Sequence, residues 1–211
     1  MKKTLFHIWL LVLASSMFAQ GTKSLPLNPP DTARGLPFMK ALSLRASASN
    51  WDSANLDLQD LSDLLWAANG INRPETGKRT APSAMNAQDI DVYVCMKSGI
   101  YLYDAQKHLL DLVIDDDYRN LIAGRQEAVA TVPVICLLVS DISRFTVGED
   151  SLKLFWAAAD AGIVSQNISI FCASVGLATR PRASMDQQKL RQILKLTDTQ
   201  YLMLNHPVSY K

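Results

Sequence analysis

Residues 61–94 read LSDLLWAANGINRPETGKRTAPSAMNAQDIDVYV, and the change of period along them decides the fold. Leu58, Leu61, Leu64, Leu65 and Ala68 recur at i, i+3, i+4 and i+7, the spacing of a helix with one apolar face. Asp57 can cap its start, Gly70 stops it, and Arg73-Pro74 leads into a loop. Trp66 is expected in the core. From Asp89 the period becomes two. Ile90, Val92, Val94 and Met96 face one way and Asp89, Asp91, Tyr93 and Cys95 the other, which is a strand. Helix, polar loop and strand in succession predict an α+β domain of packed layers.

The loop inside this stretch, residues 78–88, is where binding chemistry collects. Pro82 fixes its own φ and pushes Ala81 to an extended conformation. Ser83, Asn86 and Gln88 carry groups that donate and accept hydrogen bonds, while Ala84 and Ala87 keep the surface low. A flat heteroaromatic ring rich in donors and acceptors suits such a wall. A plain polar turn before a strand is the simpler reading of the same residues.

Toward the C-terminus, Ser98-Gly99 predicts a tight turn, with a return strand over 100–103 and a third short piece over 108–113. The acid run Asp115, Asp116 and Asp117 lacks the Gly and distal Glu of a calcium loop and reads as a solvated helix cap. A helix is expected over 118–130. VPVICLLVS, residues 132–140, reads as a central strand buried on both faces. Residues 151–177 form the longest helix candidate; about 25 residues would span roughly 38 Å. Phe155, Ala158, Ala159, Gly162, Ile163, Gln166, Ile170 and Ala173 make a stripe along it, suited to a core helix or to a dimer seam. Gly176 ends it. TRPR at 179–182 reads as a basic loop, 185–194 as a short helix and 201–204 as a closing strand. The sheet is expected to be mixed or antiparallel, flanked by helices.

Toward the N-terminus, Lys2 and Lys3 precede an apolar run over 5–12, then the small residues Ala14, Ser15, Ser16 and Ala19. Residues 1–19 therefore read as a cleavable secretory signal, which predicts an exported, periplasmic protein. Residues 20–36, with Pro26, Pro29, Pro30 and Gly35, are expected to be an extended arm without regular structure, able to wrap a partner subunit. The domain proper is 37–211, opening with a short helix over 36–44. In LRASASNW, residues 44–51, Arg45, Ser47 and Ser49 alternate, so an extended chain puts them on one face. A guanidinium and hydroxyls converging there suit a phosphate. A net charge of +1 gives no support for nucleic acid or an anionic membrane as partner. No apolar run after the first twenty residues escapes interruption by charge, so no membrane span is expected in the mature chain. Cys95, Cys136 and Cys172 lie in apolar surroundings and read as buried thiols, with a single disulfide left open. There is no GxGxxG, Walker loop, GxSxG or HExxH, so Rossmann and hydrolase readings lack their anchors, and no metal site is expected.

Four segments, in order, resemble the FMN-dependent nitroreductase superfamily, in particular its SagB-type dehydrogenase branch. LRASASNW is similar to the family's RxSxR cofactor segment. Residues 61–94 are similar to the branch's long signature. DAGIVSQNISIFCASVGLAT, residues 160–179, is similar to its dimer helix ending in Gly-Leu, and YLMLNHPV, residues 201–208, to its closing strand. The resemblance implies a homodimer with FMN at the subunit interface. It implies that Arg45 and Ser47 hold the phosphate, that Pro82, Ser83 and Ala84 line the ring from the partner subunit, and that Asn86 lies near it. Backbone around Ala183 and Ser184 would face the reactive flavin nitrogen. Ser49 stands where the family has a second basic residue, and Lys78 or Arg79 are candidates to supply that charge. Asn205-His206-Pro207 stands where it has Gly-Tyr-Pro. Lys211, or Arg180 and Arg182, are candidates for the remaining grip on the phosphate. The implied activity is flavin-mediated hydride or electron transfer to a small organic acceptor. NAD(P)H or another reductant is the implied donor, and no catalytic acid or base is required of the protein. The alternative from another class is a degenerate relative that keeps the fold and dimer as a binding or scaffold protein.

Overall fold

The computed structural model describes residues 23–211; the expected signal segment lies outside the described residues. The elements are β1 (Ser24–Pro26), α1 (Phe38–Leu44), α2 (Leu58–Asn69), a small hairpin of β2 (Ile71–Arg73) and β3 (Lys78–Arg79), β4 (Ile90–Met96), β5 (Gly99–Asp104), β6 (Leu109–Ile114), α3 (Arg119–Ala123), β7 (Val134–Asp141), α4 (Asp150–Val175), β8 (Leu177–Thr179), α5 (Gln187–Ile193) and β9 (Gln200–Tyr210). Seven strands form one sheet in the order β1-β6-β5-β4-β7-β9-β8. Every neighbouring pair in it is antiparallel.

The alternation in β4 is used on both faces. Ile90, Val92 and Val94 join Leu61, Leu64, Leu65 and Ala68 of α2 and Ala161, Val164, Ile168 and Cys172 of α4. Tyr93 and Cys95 enter a second core with Ile122 of α3, Leu190 of α5 and Leu194 just after it. β7 feeds both cores, which is why its sequence is apolar without interruption. Each fully buried leucine, such as Leu64 or Leu65, contributes about 1.5–3 kcal/mol. All three cysteines are free and buried, and burial pushes the Cys136 thiol up to about 12.

Several segments depart from expectation. The arm carries a strand: Leu25 pairs with Leu110, because an edge strand tolerates Pro26. The arm also lies on its own subunit. Asn28 N–H donates to Ser62 Oγ at 2.9 Å and Asp31 N–H to Asp63 Oδ1 at 2.8 Å. Arg34 bridges Asp60 at 2.6 Å and Asp63 at 2.8 Å. The helix expected over 118–130 stops at Ala123, because Gly124 takes φ 58°, ψ −123°; a 3-10 turn at Glu127–Thr131 follows. The closing strand runs on to Tyr210, with Pro207 opposite Ile135. The basic loop at 179–182 begins in a strand and turns inward at its end. Thr179 ends β8, and Arg182 is buried, donating to the carbonyls of Ile122 and Ala123 and to Asn205 Oδ1. Asp57 does cap α2, accepting from Asp60 N–H at 2.6 Å, and Gly176 closes α4 at φ 83°. Asp117 pairs with Arg119 at 2.7 Å. Among the described residues, no helix is long and apolar enough to cross a membrane, and no group of three or more His, Cys, Asp or Glu could hold a metal ion.

Candidate functional site

A cleft of about 610 Å³ opens at the C-terminal end of α4, within the size range of cofactor and ligand sites. Its floor is Ser169 and Ala173 of α4 and Leu177, Ala178 and Thr179 of β8. Its wall is Leu44 at the end of α1 and the segment 46–53, and Lys211 stands on its lining. The segment stays extended because Ala48 N–H donates to Thr179 O at 3.0 Å, and Asp52 N–H to Ser209 Oγ at 3.2 Å. That geometry brings Ser47, Ser49 and Lys211 to one cavity. Trp51 also lines it, braced by the Arg180 guanidinium 5.8 Å above its ring.

The floor is fixed by a buried histidine. His206 Nε2 lies 2.7 Å from Ser165 Oγ, and Nδ1 lies 3.2 Å from Thr179 Oγ1. Thr179 Oγ1 spends its only proton on Pro207 O, 2.9 Å away. Nδ1 must therefore donate to Thr179, and Nε2 must accept from Ser165. Burial holds the ring neutral and pushes its pKa down to about 3.

The other sequence-identified residues lie elsewhere. Arg45 is exposed at the end of α1, its N–H donating to Ala41 O at 2.9 Å, and its side chain is not on the cleft lining. Ala183 and Ser184 are exposed; Ser184 O accepts from Asn205 Nδ2 at 3.2 Å. Pro82, Ser83 and Ala84 stand near the middle of α4, and Asn86 ends the short 3-10 turn that Ala84 begins. There the Ala84 N–H reaches Asp160 Oδ2 at 2.9 Å. Asp160 and Ala173 are thirteen residues apart on one helix, about 20 Å of rise. Within one chain, then, the loop and the cleft do not meet. Arg79, a candidate for the missing charge, is committed elsewhere: its Nε donates to Gln88 Oε1 at 3.0 Å. Lys78 is exposed on β3.

The loop is strained. Met85, Asn86 and Gln88 take φ of 54°, 56° and 49°, which costs roughly 1 kcal/mol or more for each non-glycine residue. It is held by Ser83 Oγ, which accepts from Gln88 N–H at 2.8 Å, and by Arg144, which donates to Gln88 O at 2.8 Å.

The sequence reading missed Trp51, Ser169 and Thr179 as cleft residues, and Asp160 as the anchor of the loop. Asp160 did leave a signal, as the one acid set among the small residues 157–162. Thr179 left none, because its role depends on which strand it pairs.

α4 presents two faces. Ala157, Asp160, Ala161, Val164, Ser165, Ile168 and Ser169 are buried against the sheet. The stripe of Phe155, Ala158, Ala159, Gly162 and Ile163 is exposed, Phe155 to 69%. Nearby α1 exposes Phe38 to 65% and Met39 to 74%.

Comparison with known proteins gives a consistent result. Residues 42–210 match the Nitroreductase family model. A protein of Methanocaldococcus jannaschii, MJ1384, provisionally described as a nitroreductase, is 27% identical over 176 residues, covering 79% of this chain and 87% of its own. A crystal structure from Ralstonia eutropha JMP134, described in the same provisional way, superposes with a TM-score of 0.81 at 33% identity, covering 89% of each chain. A chain of the Escherichia coli microcin synthetase McbBCD complex shares the fold at a TM-score of 0.70 and 16% identity, covering 98% of this chain and 84% of that one. With an antiparallel sheet between helical layers, a cleft where α4 meets β8, and a family match running from the cleft wall to the last strand, this chain belongs to the nitroreductase family.

Proposed function

We propose that this protein is an FMN-dependent oxidoreductase that works as a homodimer, exported to the periplasm and related to the SagB-type branch. The observation that carries the reading is the cleft at the end of α4, which gathers hydroxyls and one cation beside an exposed apolar stripe on the same helix. The residues present fit the flavin nucleotide: Lys211, Ser47 and Ser49 suit its phosphate and ribityl hydroxyls. Ala173 and Ala178 leave room for a flat ring. FMN, when bound, supplies the hydride and electron transfer.

The chain's own residues bind and orient. Lys211 neutralises phosphate at the cleft lining. Thr179 holds the wall in place through its carbonyl, which accepts from the Ala48 N–H, on a floor that the His206 network keeps rigid. Trp51 walls off water at one side. Pro82 to Asn86 of a second copy would close the ring's other side, which a single chain cannot do for itself. A reductant, NAD(P)H or another small donor, and a small organic acceptor would meet the exposed face in turn.

The visible spectrum of the purified protein, with and without added FMN, tests this. A flavin band, or a rise in Tm that grows with FMN concentration, is the expected result. A colourless protein whose Tm ignores FMN overturns it. One observation favours a second reading, a fold-retaining binding protein: Ser49 replaces a cation and Arg45 is off the cleft lining. Flavin binding that appears only in Ser49→Arg would favour that reading.

A further inference from the structure

Beneath the 82–88 loop lies a pair of carboxyl groups that the proposed chemistry does not use. Asp89 is fully buried and Asp160 is 4% exposed. Asp160 spends both oxygens on one donor, the Ala84 N–H, at 2.9 and 3.1 Å. Asp89 Oδ2 accepts from Ser140 Oγ at 2.5 Å. Asp89 Oδ1 meets no N–H or hydroxyl of another residue, and the Asp89 carboxyl adjoins that of Asp160. Two buried carboxylates side by side would repel each other and leave Asp89 Oδ1 without a donor. One proton on Asp89 turns the contact into a hydrogen bond and gives the orphaned oxygen a partner.

We propose that Asp160 is the positioning residue of the 82–88 loop, and that it holds the Ala84 N–H only while it shares a proton with Asp89. The loop has strained backbone at three positions, so its shape depends on anchors. Of these, the bond to Asp160 is the one made to the core helix α4. Ionising Asp89 sets a second negative charge against Asp160 and weakens that bond. This rests on the proposed function only in calling the loop a ligand wall.

The electrostatic setting is defined on each side. α4 contributes Asp160; β7 contributes Ser140 and the Asp141 N–H, which donates to Asp89 O at 2.9 Å. Arg144, bonded to Gln88 O and to Asp91, is the cation that acts on Asp89, with Arg79 beyond it. Asn69 of α2 donates to Ile90 O. Burial outweighs these: it is the first cause, ahead of Asp160, that pushes Asp89 up to about 7. An opened loop would return Asp89 to about 4. Between those values the closed loop keeps a proton that the open loop has lost. Closure is therefore favoured at low pH, and the advantage disappears as pH rises to about 7.

Amide hydrogen exchange over residues 84–88, corrected for the intrinsic pH dependence of exchange, tests this on the full-length mature chain, without and with FMN. In wild type, protection of the Ala84 amide should fall at least tenfold from about pH 5 to about pH 8. In Asp89→Asn the carboxamide donates to Asp160 at every pH, and the profile should be flat. A fall in Asp89→Asn as large as in wild type, or a flat wild-type profile, overturns the proposal. Should Asp89→Asn fail to fold, wild-type infrared spectra decide: a protonated, buried carboxyl band must be present at about pH 5 and gone by about pH 8. Its absence at the lower pH overturns the shared proton. The protein without FMN reads the pair directly. A chain that never binds FMN yet shows the pH-dependent fall would sink the flavin reading and leave this one standing.

Discussion

The two stretches of α4 that touch candidate binding residues are built in opposite ways. Around Ser169 and Ala173 the helix borders an open cleft with small side chains and a neutral, fully bonded histidine behind it. Around Asp160 it meets a closed, strained loop over two buried acids, where the adjoining cavity is only about 10 Å³. The first has room for a ligand and little that dictates a shape. The second has a dictated shape and no room. Each lacks what the other has, as expected if they are halves of one site completed by a second copy.

The most damaging test of that comparison is a charge on the exposed stripe. Ile163→Asp should halve the native mass in light scattering and lower FMN affinity at least hundredfold, because a desolvated charge disrupts an apolar seam. An unchanged affinity in a monomer would mean that the two stretches are not parts of one site.

Next in size are two opposed pH effects that separate the regions. His206 stays neutral when folded and titrates near 6.5 when unfolded, so the unfolded chain gains its proton first. Its contribution to stability is full above about pH 6.5 and is lost as pH falls toward about 3, on the order of 4 kcal/mol. Asp89 has the reverse sign: its contribution is full below about pH 4 and is lost as pH rises to about 7. Urea unfolding across this range should show His206→Gln losing the acid-side fall and Asp89→Asn losing the fall toward neutrality, each relative to wild type. Profiles identical to wild type would break the contrast.

The smallest effect belongs to the cleft. Lys211→Ala should weaken FMN several-fold in a titration, with the difference from wild type shrinking as salt rises, since an exposed cation on a phosphate is screened. Fold stability should not change.

Much of the fold was legible because it follows from short-range pattern. The period of α2, its Asp57 cap, the alternation of β4 and the unbroken apolar run of β7 all survive into the structure. The helix over 118–130 was misjudged because one backbone angle at Gly124, not composition, ends it. The basic loop read at 179–182 did not reveal that Arg182 is buried, because Arg182 finds the carbonyls at the end of α3, sixty positions earlier. Of the cleft lining, the sequence pointed to Ser47, Ser49 and Lys211, but not by the alternation that would have brought Arg45 with them, since 46–53 line it without a break. The Asp89–Asp160 contact was not legible, since the two acids are seventy-one positions apart and meet only because β4 and α4 pack.

The order of residues by itself determined an α+β domain of packed layers, because each element's period assigns its apolar face before any packing partner is known. Only the tertiary structure decided which polar groups become neighbours. The neutral His206, the pairing of Asp89 with Asp160 and the separation of loop from cleft along α4 all arise from contacts between distant segments, where burial sets protonation and geometry sets reach.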